Sequence, residues 1–199
     1  MATRLFLARH GQTVANVSGE RLYNPELTEL GWEQSRRLAD ALAAAGVQRI
    51  VSSPLVRALQ TASCLAEKSG APLHAWNDLV EYNRWDPYTG AGRQSLAARF
   101  PRAVLESDMP DGGWTYPGPE SEAAVAERVR RVTQRLAALP DGTCIAIVAH
   151  GTLNARLLLH WLGAAGPVGI AQDNACINAL RLENRLAWLE RINDTSHLA

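Results

Sequence analysis

Apolar residues along the chain fall into short unbroken runs that alternate with longer stretches of helical spacing. Residues 3–8 (TRLFLA) form one run, which stops at Arg9-His10-Gly11 and reads as a buried strand ending in a loop. Residues 29–45 carry apolar or small side chains at 30, 38, 41, 42 and 45, and Thr28 before them and Gly46 after them bracket a helix. A second strand, Arg49–Ser52, precedes Ser53-Pro54. Proline is tolerated at a first helical position, which predicts a helix over 54–68 with Leu55, Leu59, Ala62 and Leu65 inward.

Residues 77–120 lose this regularity, with Asp86-Pro87, Gly90, Gly92, Asp111-Gly112-Gly113 and Pro117-Gly118-Pro119, and room for one short helix around 93–100. Trp76, Trp85, Trp114, Tyr82, Tyr88 and Tyr116 argue for an inserted, folded cap, because disordered segments are poor in aromatics. A helix over 121–139 follows, with Val125, Val129, Val132, Leu136 and Leu139 on one face and arginines on the other. Residues 143–149 (TCIAIVA) form the clearest strand and end at His150-Gly151; a helix over 153–162 closes at Gly163. Runs at 175–182 and 186–192, joined through Glu183-Asn184, read as an antiparallel hairpin at a sheet edge. The alternation predicts a single α/β domain over 1–199. It is a three-layer α/β/α sandwich with a mostly parallel sheet, the edge hairpin and the cap at about 77–120. No internal repeat or low-complexity tract interrupts it.

Composition narrows the chemistry. Twenty basic and twenty acidic residues cancel, which removes the basic footprint of a nucleic-acid or anionic-membrane binder. Lys68 is the only lysine, so a P-loop lysine is excluded and any bound anion is held by arginine or backbone. Cys64, Cys144 and Cys176 have unrelated spacings that write neither a disulfide framework nor a zinc site, and a reduced cytoplasm is expected. The opening MATRLFLARHG has too short an apolar run for a signal peptide, and no stretch approaches the ~18 apolar residues of a membrane span.

Two apolar strands that each end in His-Gly place two imidazoles at the carboxyl edge of one sheet, where α/β folds bind ligands. Arg9 and the helix start Ser52-Ser53-Pro54-Leu55-Val56-Arg57 add two guanidiniums, whose forks match phosphate oxygens. Taken singly, His150 is equally a core histidine or half of a metal site with His10 and a carboxylate, and Arg57 an ordinary helix charge. His74, His160 and His197 read as structural or surface residues.

LARHGQTxxN, SSPLxRALQTA, a glutamate in the middle segment and IVAHG, in that order, are similar to the histidine phosphatase superfamily, phosphoglycerate-mutase-like branch. The closing Asn193-Asp194-Thr195-Ser196-His197-Leu198 also resembles the tail of many members. The resemblance implies that His10 is the nucleophile that becomes phosphorylated, that Arg9, Arg57 and His150 clamp the phosphoryl group, and that Asn16 stands at the pocket wall. Glu81 is the expected proton donor, with Asp78 and Asp86 as fallbacks; Arg21, Tyr23, Arg84 and Trp85 are further pocket candidates. A neutral imidazole between two guanidiniums is a competent nucleophile near pH 7, and phosphoryl transfer needs mainly positioning and charge stabilisation.

Two departures concern the substrate. After Glu81 the chain reads Tyr82-Asn83-Arg84-Trp85-Asp86-Pro87-Tyr88-Thr89-Gly90 where relatives carry a Gly-x-Trp-x-Gly-like run. Pro119 stands in a segment where they often show Gly-Gly-Glu-Ser, and removes a backbone N–H. The expected activity is a cytoplasmic phosphomonoesterase acting on a small metabolite without metal or other cofactor. A cofactor-dependent phosphoglycerate-type mutase is the alternative, set second because few residues follow the last strand to shut out water. A metallohydrolase and a binding module without turnover are the readings from other classes. Neither the substrate nor the oligomeric state is written in the sequence.

Overall fold

The computed structural model describes residues 2–84, 88–113, 115–116, 118–164, 168–184 and 186–199. Strand β1 (Thr3–Arg9) leads through a short helix, α1 (Val14–Ser18), to α2 (Glu29–Ala44), then β2 (Arg49–Ser52), α3 (Val56–Ser69) and β3 (Leu73–Ala75). After one turn of 3-10 helix at Asn77–Leu79 come β4 (Tyr88–Thr89), α4 (Arg93–Arg99), β5 (Ala103–Leu105) and β6 (Thr115–Tyr116). The last third holds α5 (Glu122–Ala137), β7 (Cys144–Ala149), α6 (Gly151–Trp161), β8 (Ile177–Glu183) and β9 (Leu186–Asp194).

Seven strands form one sheet in the order β5-β3-β2-β7-β1-β8-β9. All neighbours run parallel except at β8, which is antiparallel to both β1 and β9. The alternation of side chains along a strand divides each apolar run between two faces. Leu5, Leu7, Ile145 and Ile147 pack against Val125, Val129 and Val132 of α5 and Leu153 and Leu157 of α6. Phe6, Ala8, Ala146 and Val148 pack against Leu38 and Leu42 of α2 and Ala58, Ala62 and Leu65 of α3. The chain is therefore the expected three-layer α/β/α sandwich, and its central strands read as unbroken apolar runs because both faces are covered. Leu5 and Leu7 are wholly buried, and full burial of such a side chain stabilises by ~1.5–3 kcal/mol.

Several boundaries differ from the sequence pattern for a physical reason. Helix α3 starts at Val56, two residues after Pro54, because the Val56 N–H donates to Asn24 Oδ1 at 2.8 Å, a cap supplied from a distant loop. Helix α6 starts at Gly151 rather than 153, with the extended His150 as its N-cap. Strands β3 and β5, each of three residues, are too short to show a period in the sequence. Through β5 the stretch after 77 rejoins the main sheet, and Leu96, Phe100 and Met109 pack with Val56 and Leu59 of α3.

Arg128 is the clearest correction. The helical pattern puts it on the polar face of α5, yet it is buried. Its guanidinium forks onto Glu120 (Nε to Oε1 3.0 Å, Nη2 to Oε2 2.8 Å), and Nη1 donates to the carbonyls of Asp78 at 2.9 Å and Val80 at 2.6 Å. One side chain thus fastens residues 78–80 and 120 to α5. Among the described residues no helix is long and apolar enough to cross a membrane.

Candidate active site

Parallel pairing of β1 with β7 sets Arg9 opposite Ala149, so the next residue of each strand is a histidine. The rings of His10 and His150 lie 5.3 Å apart between centroids, tilted by 59°. Both are buried. His10 Nδ1 is 2.8 Å from the Gly11 carbonyl, an acceptor only, so the proton is assigned to Nδ1 and the lone pair to Nε2. Arg57 Nε donates to that Nε2 at 3.1 Å. Burial, then the Arg57 and Arg9 guanidiniums, push the His10 pKa well below the ordinary imidazole value, against a smaller opposing effect of the Gly11 hydrogen bond. Burial, then Arg57, His10, Arg9 and Arg128, push His150 down likewise. Both rings are neutral near pH 7.

The loop after β1 is pressed onto the first turn of α2. A Cβ on Gly11 would stand 2.4 Å from the Gly31 carbonyl oxygen, and one on Gly31 would stand 2.0 Å from that of Gln12. Only two glycines permit this approach. The Gly11 N–H donates to Thr61 Oγ1 at 3.1 Å, and that hydroxyl donates to the Arg57 carbonyl at 2.9 Å, which ties the loop to α3.

The two arginines arrive from opposite faces of the sheet. Arg9 Nη1 donates to the Gln172 carbonyl at 2.6 Å, while its Nε is buried without a partner among the described residues. Arg57 Nη1 donates to the Tyr23 carbonyl at 3.1 Å. His150 Nε2 is 2.8 Å from Ser53 Oγ, and its Nδ1 is buried and without a partner among the described residues.

Glu81 closes a third side. Its Oε1 accepts the N–H groups of Tyr82 at 2.8 Å and Leu153 at 3.0 Å, and its Oε2 that of Thr152 at 3.1 Å, so it caps the first turn of α6. A cleft of about 120 Å³ is lined by Arg21, Tyr23, Leu55, Arg57, Glu81 and Asn83, among others. The structure therefore gathers His10, His150, Arg9, Arg57 and Glu81 around one end of the sheet, with Arg21 and Tyr23 on the cleft wall.

Other candidates sit elsewhere or are otherwise engaged. Asn16 is exposed, and its Oδ1 accepts from Thr13 in the capping box of α1 (N–H 3.0 Å, Oγ1 2.9 Å). Asn174 bridges it to His10, its Nδ2 lying 3.3 Å from both Asn16 Oδ1 and the His10 carbonyl. Arg84 is exposed, its guanidinium 4.9 Å from the centroid of the Tyr82 ring. Asp78 pairs with Arg131 at 2.7 Å, on the outer side of α5. Asp86 and Trp85 lie outside the described residues. Ser53, Thr61 and Asn174 were not singled out in the sequence, although Ser53 and Thr61 belong to the quoted SSPLxRALQTA; isolated hydroxyls and amides carry no periodic signal. Among the described residues no three His, Cys, Asp or Glu side chains cluster as a metal site.

The family model for the histidine phosphatase superfamily (branch 1) matches residues 5–195, from within β1 to just past β9. The chain belongs to this superfamily. The match takes in every site residue named above. The chain spans about half the length, 46%, of curated relatives such as a bifunctional protein of Mycobacterium tuberculosis, to which it is 36% identical over 83% of its own length. The adenosylcobalamin/alpha-ribazole phosphatase of Salmonella typhimurium is 32% identical, with 96% of each chain covered. The solved structure of a mycobacterial glucosyl-3-phosphoglycerate phosphatase aligns with a TM-score of 0.68 at 27% identity, covering 98% of this chain and 100% of that one. The fold of this histidine phosphatase superfamily member and that of its relative thus coincide over nearly their whole lengths.

Proposed function

We propose that the chain is a phosphomonoesterase that hydrolyses a small phosphorylated metabolite through a phosphohistidine on His10. The observation that carries this reading is the state of His10: buried, neutral, its proton fixed on Nδ1 by the Gly11 carbonyl, and its Nε2 lone pair facing Arg57. The Nε2 lone pair attacks phosphorus as the ester P–O bond breaks. Arg57 moves its Nε–H from Nε2 to a phosphoryl oxygen, and the unpartnered Arg9 Nε serves a second. With the Ser53 hydroxyl donating to His150 Nε2, the free Nδ1–H of His150 is a third donor. Glu81 gives its proton to the leaving alkoxide, turning Oε2, which holds one amide against two on Oε1, toward the cleft. Water then attacks phosphorus, the N–P bond breaks, and Glu81 takes the water proton.

The guanidiniums supply the charge that a metal ion supplies elsewhere and repel a cation from the two imidazoles, which supports metal-independent turnover. Three free cysteines and balanced charge support a cytoplasmic chain acting on a small molecule rather than on nucleic acid or membrane. We read residues 1–199 as one working unit in which the segment over 77–120 forms the wall facing the substrate.

A rapid quench with labelled substrate is expected to trap one acid-labile, alkali-stable phosphate per chain on the peptide carrying His10, with His10→Ala losing both label and turnover. A panel including glucosyl-3-phosphoglycerate and an α-ribazole phosphate, run with and without chelator, ranks substrates by kcat/KM. Label on His150, normal turnover of His10→Ala, or activity abolished by chelator and restored by a divalent ion overturns the assignment.

A further inference from the structure

Behind Arg9 lies a set of side-chain amides that the reaction as written does not use. Asn178, on β8, is wholly buried with all four of its hydrogen-bonding positions filled. Its Nδ2 donates to Gln172 Oε1 at 2.8 Å and to the Leu7 carbonyl at 3.0 Å. Its Oδ1 accepts from Gln172 Nε2 at 3.0 Å and from the Asn193 N–H at 2.9 Å. Asn178 and Gln172 thus form a reciprocal amide pair, and the Gln172 main-chain carbonyl is the one that receives Arg9 Nη1.

The backbone around this pair is held in costly shapes. The β8–β9 ladder slips register between Ile177 and Ala179, beside Asn193, which has a φ of +48°. Bulges of this kind re-aim side chains next to functional sites. Here the Asn193 side chain turns onto residue 173, accepting its N–H at 2.7 Å and donating to Asp173 Oδ2 at 2.7 Å. Ala175, at a φ of +56°, sends its N–H to the His10 carbonyl at 3.1 Å. Non-glycine residues in this region persist only where their surroundings over-determine them, and the amide network is that surrounding.

We propose that Asn178 is a positioning residue for the phosphoryl site: through its pairing with Gln172 it fixes the carbonyl that holds Arg9 Nη1, and so aims the Arg9 Nε beside His10. The proposal rests on the reading of Arg9 as a phosphoryl ligand. A polar network inside a low-dielectric interior acts as a unit, so its loss leaves Arg9 free to rotate while the strand itself stays in place.

The test is a double-mutant cycle read by orthovanadate inhibition of p-nitrophenyl phosphate hydrolysis, well below the melting temperature of each variant. Asn178→Leu is expected to raise the orthovanadate Ki and lower kcat/KM tenfold or more. In an Arg9→Ala background the same substitution is expected to change Ki less than twofold, because its effect passes through Arg9. Gln172→Ala, which removes the amide partner from a half-buried position and keeps the carbonyl, is expected to raise Ki by a smaller factor with the same dependence on Arg9. It stands in if Asn178→Leu fails to fold. Equal losses with and without Arg9, or a Ki unchanged in Gln172→Ala and Asn178→Leu, overturn the proposal. A wild-type protein that neither hydrolyses the ester nor binds orthovanadate overturns the reading of the site, and this proposal falls with it.

Discussion

The floor and the wall of the site are built by different means. The floor, His10 with Arg9 and then His150, stands at the ends of adjacent parallel strands, where the register alone brings the imidazoles together. The wall, with Glu81, leaves the sheet after β3 and is held by the Arg128–Glu120 ion pair and by main-chain groups of Asp78, Val80 and Asn83. On the proposed reaction the floor would meet the phosphoryl group that every phosphomonoester shares, and the wall the part that differs. That reading would rest the invariant chemistry on rigid strand ends and the specificity on a segment anchored by the buried Leu79 and by polar contacts to Arg128.

That contrast breaks most sharply if the floor proves substrate-dependent. Arg57→Ala is expected to lower kcat/KM by ~10³-fold or more for alkyl and aryl phosphates alike, as loss of a phosphoryl arginine does elsewhere. Unequal losses would show that Arg57 also reads the leaving group. Glu81→Gln tests the wall: kcat falls by ~10²–10⁴-fold for an alkyl phosphate and far less for an aryl phosphate, whose leaving group needs no proton. Equal losses would remove Glu81 from the acid role.

Arg128→Met removes the guanidinium that pairs with the largely buried Glu120 carboxylate, and the chain is expected to lose about 3–5 kcal/mol in chemical denaturation. If the wall hangs on this pair, the rate on alkyl phosphates falls further than the rate on aryl phosphates. The smallest effect concerns the floor and pH. His10 and His150 titrate below their unfolded value of ~6.5, so the unfolded chain binds more protons beneath that pH. Stability is then full above about pH 6.5 and declines as pH falls, by ~1.4 kcal/mol per pH unit for each proton. His74 and His197 are lowered too, so the informative quantity is the difference in slope between wild type and His150→Asn. Identical slopes from pH 6.5 to 5 would show that His150 is not buried neutral.

What could be read beforehand follows the same division. Strands β1, β2 and β7, helices α2 and α5 and the β8–β9 hairpin each announce themselves by a pattern in neighbouring residues. So do His10, Arg57 and His150, which sit at the ends of those patterns. The start of α3 waits on Asn24, that of α6 on Glu81, which accepts the Thr152 and Leu153 N–H groups, and the burial of Arg128 on Glu120 and two distant carbonyls. These are long-range partnerships that leave no local trace. Glu81 stands out only through the family resemblance, since nothing in residues 77–84 marks one carboxylate above another. Ser53 was in view as part of a helix start, but its bond to His150 exists only once β2 and β7 pair.

Strand β1, near the start of the chain, sits between β7 and β8: Leu5 faces Ile145 on one side and Leu180 on the other. A ribosome adding ~5–20 residues per second needs roughly 7 to 28 s to travel from one histidine codon to the other. For all of that interval β1 has neither neighbour, and sequence-distant ladders of this kind close slowly because the intervening loop must be ordered first. Emergence of the site during biosynthesis is therefore abrupt and late. Until then β1 can be covered on one face by α2 and α3 but on neither of its hydrogen-bonding edges.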